Sequence, residues 1–142
     1  MTSQLNVDTI VDKAGSGGTN VKVANTSTYV SDGGNVTQNT VQGIAKVWSN
    51  NNTGTANDSL NQSGLTDNGT GDFTISFSNA MSSIYYSSTL GGADANTNAA
   101  VLIMNNNGNG YATGSINYFL ANEDSGATDY GPMSTTIHGD LA

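Results

Sequence analysis

Cysteine and arginine are missing from this chain of 142 residues, proline occurs once, and cationic side chains number only three lysines. Without cysteine there is no disulfide framework and no thiolate metal site, and the redox compartment leaves no mark. Three cations against eleven acids give a formal net charge of −8, so the phosphate contacts that dominate nucleic-acid affinity have almost nothing to make them. Nucleic-acid binding is therefore not expected. The negative charge reads as colloidal solubility and resistance to nonspecific association. No apolar run approaches the roughly 18 residues of a transmembrane helix, and membrane insertion is not expected. Met1-Thr-Ser-Gln-Leu-Asn6 has neither the basic start nor the apolar stretch of a signal peptide.

What is present is polar without being charged. Hydrophobic residues make up 35% and charged residues 10%, so the outer surface has to be built from Asn, Thr, Ser and Gly. Disorder usually accompanies high charge with few β-branched and aromatic residues, whereas here Val, Ile, Thr, Tyr and Phe recur in short alternating runs. A chain of this length buries roughly two-thirds of its unfolded surface on folding, enough for one core.

The strongest pattern lies between Ser63 and Phe77. Phe73, Ile75 and Phe77 alternate with Thr74 and Ser76, the period of a half-buried strand. Before them, Asp67-Asn-Gly-Thr-Gly71 supplies the positive φ of a tight hairpin turn. Asn57 to Thr66 is then the preceding arm, carrying only Leu60 and Leu65 as bulky apolar residues. Val41 to Trp48 reads as a strand too rich to face water on both sides, with Trp48 as a core anchor. Ser83 to Ser87 reads as a further strand, in which Tyr85 and Tyr86 must point to opposite faces. The continuous run Ala99 to Met104 is expected to be a central strand buried on both faces. Tyr111 to Leu120 and Met133 to Leu141 complete the set. Short strands at spacings near ten residues, joined by Asn and Gly turns, predict an all-β fold, an antiparallel β-sandwich of jelly-roll type. Residues 1–40 carry little to bury and divide from a head domain at 41–142. Within them, the stretch around Leu5, Val7, Val21 and Val23 gives short strands about Gly15-Ser-Gly-Gly18, and Val36 to Thr40 reads as a linker. Such a segment is marginal alone, so it is expected to attach to another protein or to other chains.

Gly43-Ile-Ala-Lys-Val-Trp48, Thr53-Gly-Thr55, Leu65-Thr-Asp-Asn-Gly-Thr-Gly-Asp-Phe-Thr-Ile-Ser-Phe77 and Asn79-Ala-Met81 together resemble a module near the C-terminal ends of tail-fibre and related structural proteins of marine tailed phages. Ser3 to Ile10 is similar to the short opening of many such proteins. In that family an aromatic residue commonly follows the tryptophan by a few positions, where this chain has Asn50-Asn-Asn52. The resemblance implies a virion structural protein, a homotrimer, with no catalytic residues to carry over and a virion location.

Chemistry-bearing clusters are few. Asp67 and Asp72 flank the hairpin turn without the ligand spacing of a calcium loop and read as turn residues. His138 is the only histidine, and no Gly-x-Ser-x-Gly elbow accompanies it. No metal site is expected; the one candidate is His138, three copies of which could offer imidazoles on a trimer axis, against the plainer reading of a surface or interface histidine. No cofactor is expected, since Gly15 to Gly18 leads into no apolar helix start. The acidic loop Glu123-Asp124 with Asp129 reads as solvated. For a ligand or receptor, the candidates are Tyr111, Asp124, Asp129 and Tyr130, on turns whose tyrosines and amides could meet a host-surface glycan. Glycan hydrolysis would need two carboxylates facing each other across a groove, and an enzyme is not expected. The leading expectation is a short tail-fibre or spike subunit contributing to host attachment. The alternatives are a capsid or tail decoration protein that stabilises the particle, and a free carbohydrate-binding module.

Overall fold

The alternation of Phe73, Ile75 and Phe77 places all three side chains on one face, and this face is the middle of the hydrophobic core. The computed structural model describes residues 27–30, 37–92, 100–104, 110–122, 126–129 and 131–142. The chain divides into two compact units, Met1–Val41 and Gln42–Ala142.

In the first unit, β1 (Thr28–Val30) and β2 (Thr37–Asn39) form an antiparallel pair with Thr28 opposite Asn39 and Val30 opposite Thr37. The stretch read as a linker thus supplies a strand. Backbone pairing needs no apolar side chain, and Tyr29 and Val30 stay 62% and 50% exposed. The strands predicted around Leu5 and Val21 lie outside the described residues.

A single helical turn, α1 (Thr40–Gly43), precedes the strands of the second unit. These are β3 (Ala45–Asn52), β4 (Thr55–Leu60), β5 (Gln62–Gly69), β6 (Asp72–Phe77), β7 (Ser87–Gly92), β8 (Ala100–Met104), β9 (Tyr111–Ala112), β10 (Ser115–Asn122), β11 (Gly126–Ala127) and β12 (Met133–His138). One sheet runs β11-β10-β6-β5, with β8 and β9 also paired to β10; the other runs β4-β3-β12-β7. Every pairing among the described residues is antiparallel. The two sheets pack face to face as an all-β sandwich. Ile116, Tyr118 and Leu120 of β10 and the three apolar residues of β6 share a buried cluster with Val47 of β3 and Met133 and Ile137 of β12. Each large side chain so buried stabilises the fold by roughly 1.5–3 kcal/mol. No helix among the described residues is long and apolar enough to cross a membrane.

The predicted hairpin is β5–β6, in register with Leu65 opposite Ile75 and Thr66 opposite Thr74. Its first arm, however, is broken at Asn61. Residues before it belong to β4 in one sheet and residues after it to β5 in the other. Asn61 takes φ +62, and its side chain ties the corner down: Nδ2 donates to the Asn79 carbonyl (3.0 Å), while Oδ1 accepts from the Asn79 backbone N–H (2.7 Å) and amide (3.1 Å). Asparagine is among the few side chains that tolerate this left-handed geometry.

Other expectations are corrected. The strand expected from Val41 begins only at Ala45, after α1. Trp48 is not a core anchor: the phase of β3 turns Val47, Ser49 and Asn51 inward and leaves Trp48 37% exposed on the outer face. Ser83 to Tyr86 is a bend, and the strand starts at Ser87 and runs through Gly91-Gly92. The central position expected for the run at 99–104 belongs to β10, which pairs with β6, β8, β9 and β11, whereas β8 pairs with β10 alone among the described strands. Tyr85 and Tyr86 do split as their adjacency requires, at 90% and 7% exposure.

Candidate functional site

Beyond the Phe77 end of β6, two distant segments are stitched together. Met81 and Leu141 form an antiparallel bridge, Ser82 N donates to the Asp140 carbonyl (2.8 Å), and Ala142 N donates to the Ala80 carbonyl (2.9 Å). The pairing carries the chain through the bend at 82–86 and sets it beside His138-Gly-Asp140. A cleft of about 260 Å³ opens between them.

Its floor is Met81, Tyr86 and Gly139. A Cβ on Gly139 would stand 2.8 Å from the Met81 Cε and 2.9 Å from the Tyr86 Cβ, so the close approach of the two segments needs glycine there. Tyr86 is anchored from below. Its hydroxyl can donate to the carbonyls of Ser115 (2.9 Å) and Ala112 (3.1 Å), and its ring meets Phe77 and Tyr111 edge-on at 6.2 and 5.0 Å. Burial pushes its phenol up to about 12, so it remains a neutral donor at any ordinary pH.

The walls are polar. Gln42 Nε2 donates to Asp140 Oδ2 at 3.3 Å, and half-buried His138, opposite Ser87 in the β12–β7 register, stands beside them. Ser82, Ser83 and Ser87 add hydroxyls, and the ring of Tyr85 projects into solvent at the rim. A cleft so equipped presents one aromatic face, an amide, a carboxylate, an imidazole and several hydroxyls. That set suits an uncharged, hydroxyl-rich ligand, with the ring stacking on its apolar face and the amide and carboxylate pairing with its hydroxyls. Among the described residues no three of His, Cys, Asp and Glu converge to hold a metal ion.

The residues singled out in the sequence scatter. His138 lies in the cleft. Tyr111 packs against the buried edge of Tyr86, with its hydroxyl 2.9 Å from Ser88 Oγ. Asp129 sits at the Asp72 end of β6, away from the cleft, where its carboxylate accepts from Gly71 N (2.6 Å) and its carbonyl accepts from the Thr53 hydroxyl. Asp124 and Tyr130 lie outside the described residues. Gln42, Tyr85 and Asp140 were not singled out as a site. Gln42 and Asp140 are 98 positions apart, and no local pattern joins them. The only local signals were the Tyr85-Tyr86 pair and the lone histidine. No family model matches the chain, and comparison with curated proteins and with solved structures likewise finds no match.

Proposed function

We propose that the chain is a virion structural protein, a short tail-fibre or spike subunit that contributes to host-surface attachment, and that the cleft beside Tyr85 is where it meets a surface glycan. The observation that carries this reading is the 90% exposed Tyr85 ring at the rim of a cleft where Gln42, His138 and Asp140 converge. An aromatic residue left this exposed contributes nothing to the core, and its rigid face is what saccharide rings stack upon. The virion context rests on the resemblance of residues 43–48, 53–55, 65–77 and 79–81 to phage tail-fibre modules. In this reading the subunit is a homotrimer, and residues 1–40 fasten it to another virion protein.

The test is binding of the purified chain to an array of bacterial surface polysaccharides, with Tyr85→Ala and Asp140→Asn beside the wild type. Loss of a stacking anchor is expected to weaken binding about tenfold while the melting temperature stays put. Variants that bind as tightly as wild type would remove the cleft from the reading. Light scattering on the full chain tests the trimer.

A second reading, a capsid or tail decoration protein that stabilises the particle, is favoured by the outer face of β3 and β4. There Trp48 and Leu60 are cross-strand partners and stand 37% and 47% exposed, a patch suited to a neighbouring subunit. Reduced thermal stability of particles lacking the protein, with adsorption unchanged, would favour this reading.

A further inference from the structure

The inner face of the sandwich is not uniformly apolar. The alternation that buries Val47 also buries Ser49 and Asn51, and Thr135 is buried on β12 directly opposite Ser49. The fully buried Asn51 donates from Nδ2 to Ser49 Oγ (3.2 Å) and accepts from Gln62 Nε2 (3.1 Å). Tyr118, fully buried on the facing sheet, brings its hydroxyl towards the same Asn51 amide. The amide counters part of the effect of burial on that phenol without meeting it in hydrogen-bonding geometry.

Three buried polar atoms of this cluster have no hydrogen-bond partner among the described residues: Gln62 Oε1, Tyr118 OH and Thr135 Oγ1. Buried polar groups left bare are costly, and three of them would consume a large share of a small domain's stability. Their chemistry is specific. The Gln62 oxygen only accepts, while each hydroxyl both donates and accepts. A cation is a poor match, because the cluster contains no carboxylate and the Tyr118 phenol, pushed up to about 12 by burial, keeps its proton.

We infer that this cluster is an internal hydration site, in which at least one long-lived water donates to Gln62 Oε1 and bonds with the Tyr118 and Thr135 hydroxyls, linking the two sheets. Water combines donor and acceptor capacity in one small neutral molecule, and internal waters typically make about three hydrogen bonds to groups of this kind. The inference is independent of the cleft and of any virion role.

The test is oxygen-17 relaxation dispersion of water on the full chain, for the wild type and for Tyr118→Phe and Thr135→Val singly and together. The double variant is expected to lose the contribution of at least one long-lived water. Each single variant should lower the melting temperature by about 3–6 °C, because expelling or stranding the water leaves other atoms unpaired. Unchanged dispersion together with raised melting temperatures would overturn the inference, since replacing a truly bare hydroxyl by an apolar group stabilises. Should the variants misfold, a high-resolution crystal structure of the wild type decides: a solvent peak within hydrogen-bond distance of Tyr118 OH and Thr135 Oγ1 supports the site, and bare atoms there refute it.

Discussion

Asn61 turns the chain from one sheet into the other, and replacing it separates the backbone part of that role from the side-chain part. At φ +62 a residue with a Cβ but no local hydrogen bond is strained by about 1–2 kcal/mol. The three bonds to Asn79, at 2.7, 3.0 and 3.1 Å, lie near the surface, where water replaces part of what is lost; together they are worth about 1 kcal/mol. Asn61→Ala removes both contributions and should cost about 2 kcal/mol. Asn61→Gly keeps the left-handed backbone, loses only the bonds, and should cost about 1 kcal/mol. Asn61→Val, β-branched, should be worst, at about 3 kcal/mol. Urea unfolding followed by far-ultraviolet circular dichroism, with the slope held common across the series, measures each value. Glycine as damaging as alanine would show that the backbone conformation carries no cost. An alanine variant within 0.5 kcal/mol of wild type, well under the roughly 2 kcal/mol worked out above, would refute the corner argument altogether.

Gly71 takes φ +74, and a Cβ there would strike the Leu120 carbonyl oxygen and stand 3.0 Å from Thr128 N, whereas Gly54, at φ +70, has open space. Gly71→Ala should therefore cost about 3 kcal/mol or more and Gly54→Ala about 1 kcal/mol by denaturant unfolding; equal costs would refute the close packing at Gly71. Trp48, the single tryptophan, should show solvent-shifted fluorescence in the native state, and Trp48→Ala should change stability by under about 1 kcal/mol; blue-shifted emission would place it in a core after all. Tyr86 and Tyr118 have phenols raised from 10.0 to about 12 by burial. The native state holds these protons more tightly than the unfolded chain, so the stability they contribute is present below about pH 10 and is lost as pH rises towards 12. Phenolate absorbance should show a late-ionising class coincident with alkaline unfolding, and six tyrosines titrating together near pH 10 would refute it.

The parts of the fold legible in the sequence are those where alternation is unbroken. Phe73-Thr-Ile-Ser-Phe77 puts its large residues on one face, and Ile116, Tyr118 and Leu120 share a face of β10 with Phe119 on the other; the face of each trio is core. Trp48 misled because size suggested burial, while the phase of β3 is set by Val47 together with two polar residues, Ser49 and Asn51, that no hydropathy pattern assigns to an interior. Met133-Ser-Thr-Thr-Ile137 carries only a weak hydropathy pattern for a similar reason: Thr135 fills an inward position between Met133 and Ile137, in a strand flanked on both sides. The corner at Asn61 was hidden inside one polar run, since asparagine is so common here that a single one in a left-handed conformation carries no signal. The cleft was least legible, because it is made by a pairing between residues near 81 and residues near 141, and only tertiary structure brings Gln42 to Asp140.

The place of β12 between β3 and β7 has a consequence for how the chain is made. Of the described strands it leaves the ribosome last, and until residue 138 has emerged β3 and β4 wait as a hairpin with one raw edge while β7 has no partner in that sheet. Contacts this distant in sequence form slowly, so the nascent protein carries an open strand edge through most of its synthesis, the situation in which chains pair with one another. The lysine at position 46 and Asn50, on either side of Trp48 along the outward face of that waiting strand, guard the edge during that interval. A substitution making the outward-facing Asn50 β-branched and apolar should be punished first in yield of soluble protein, before any loss is measurable in the finished fold.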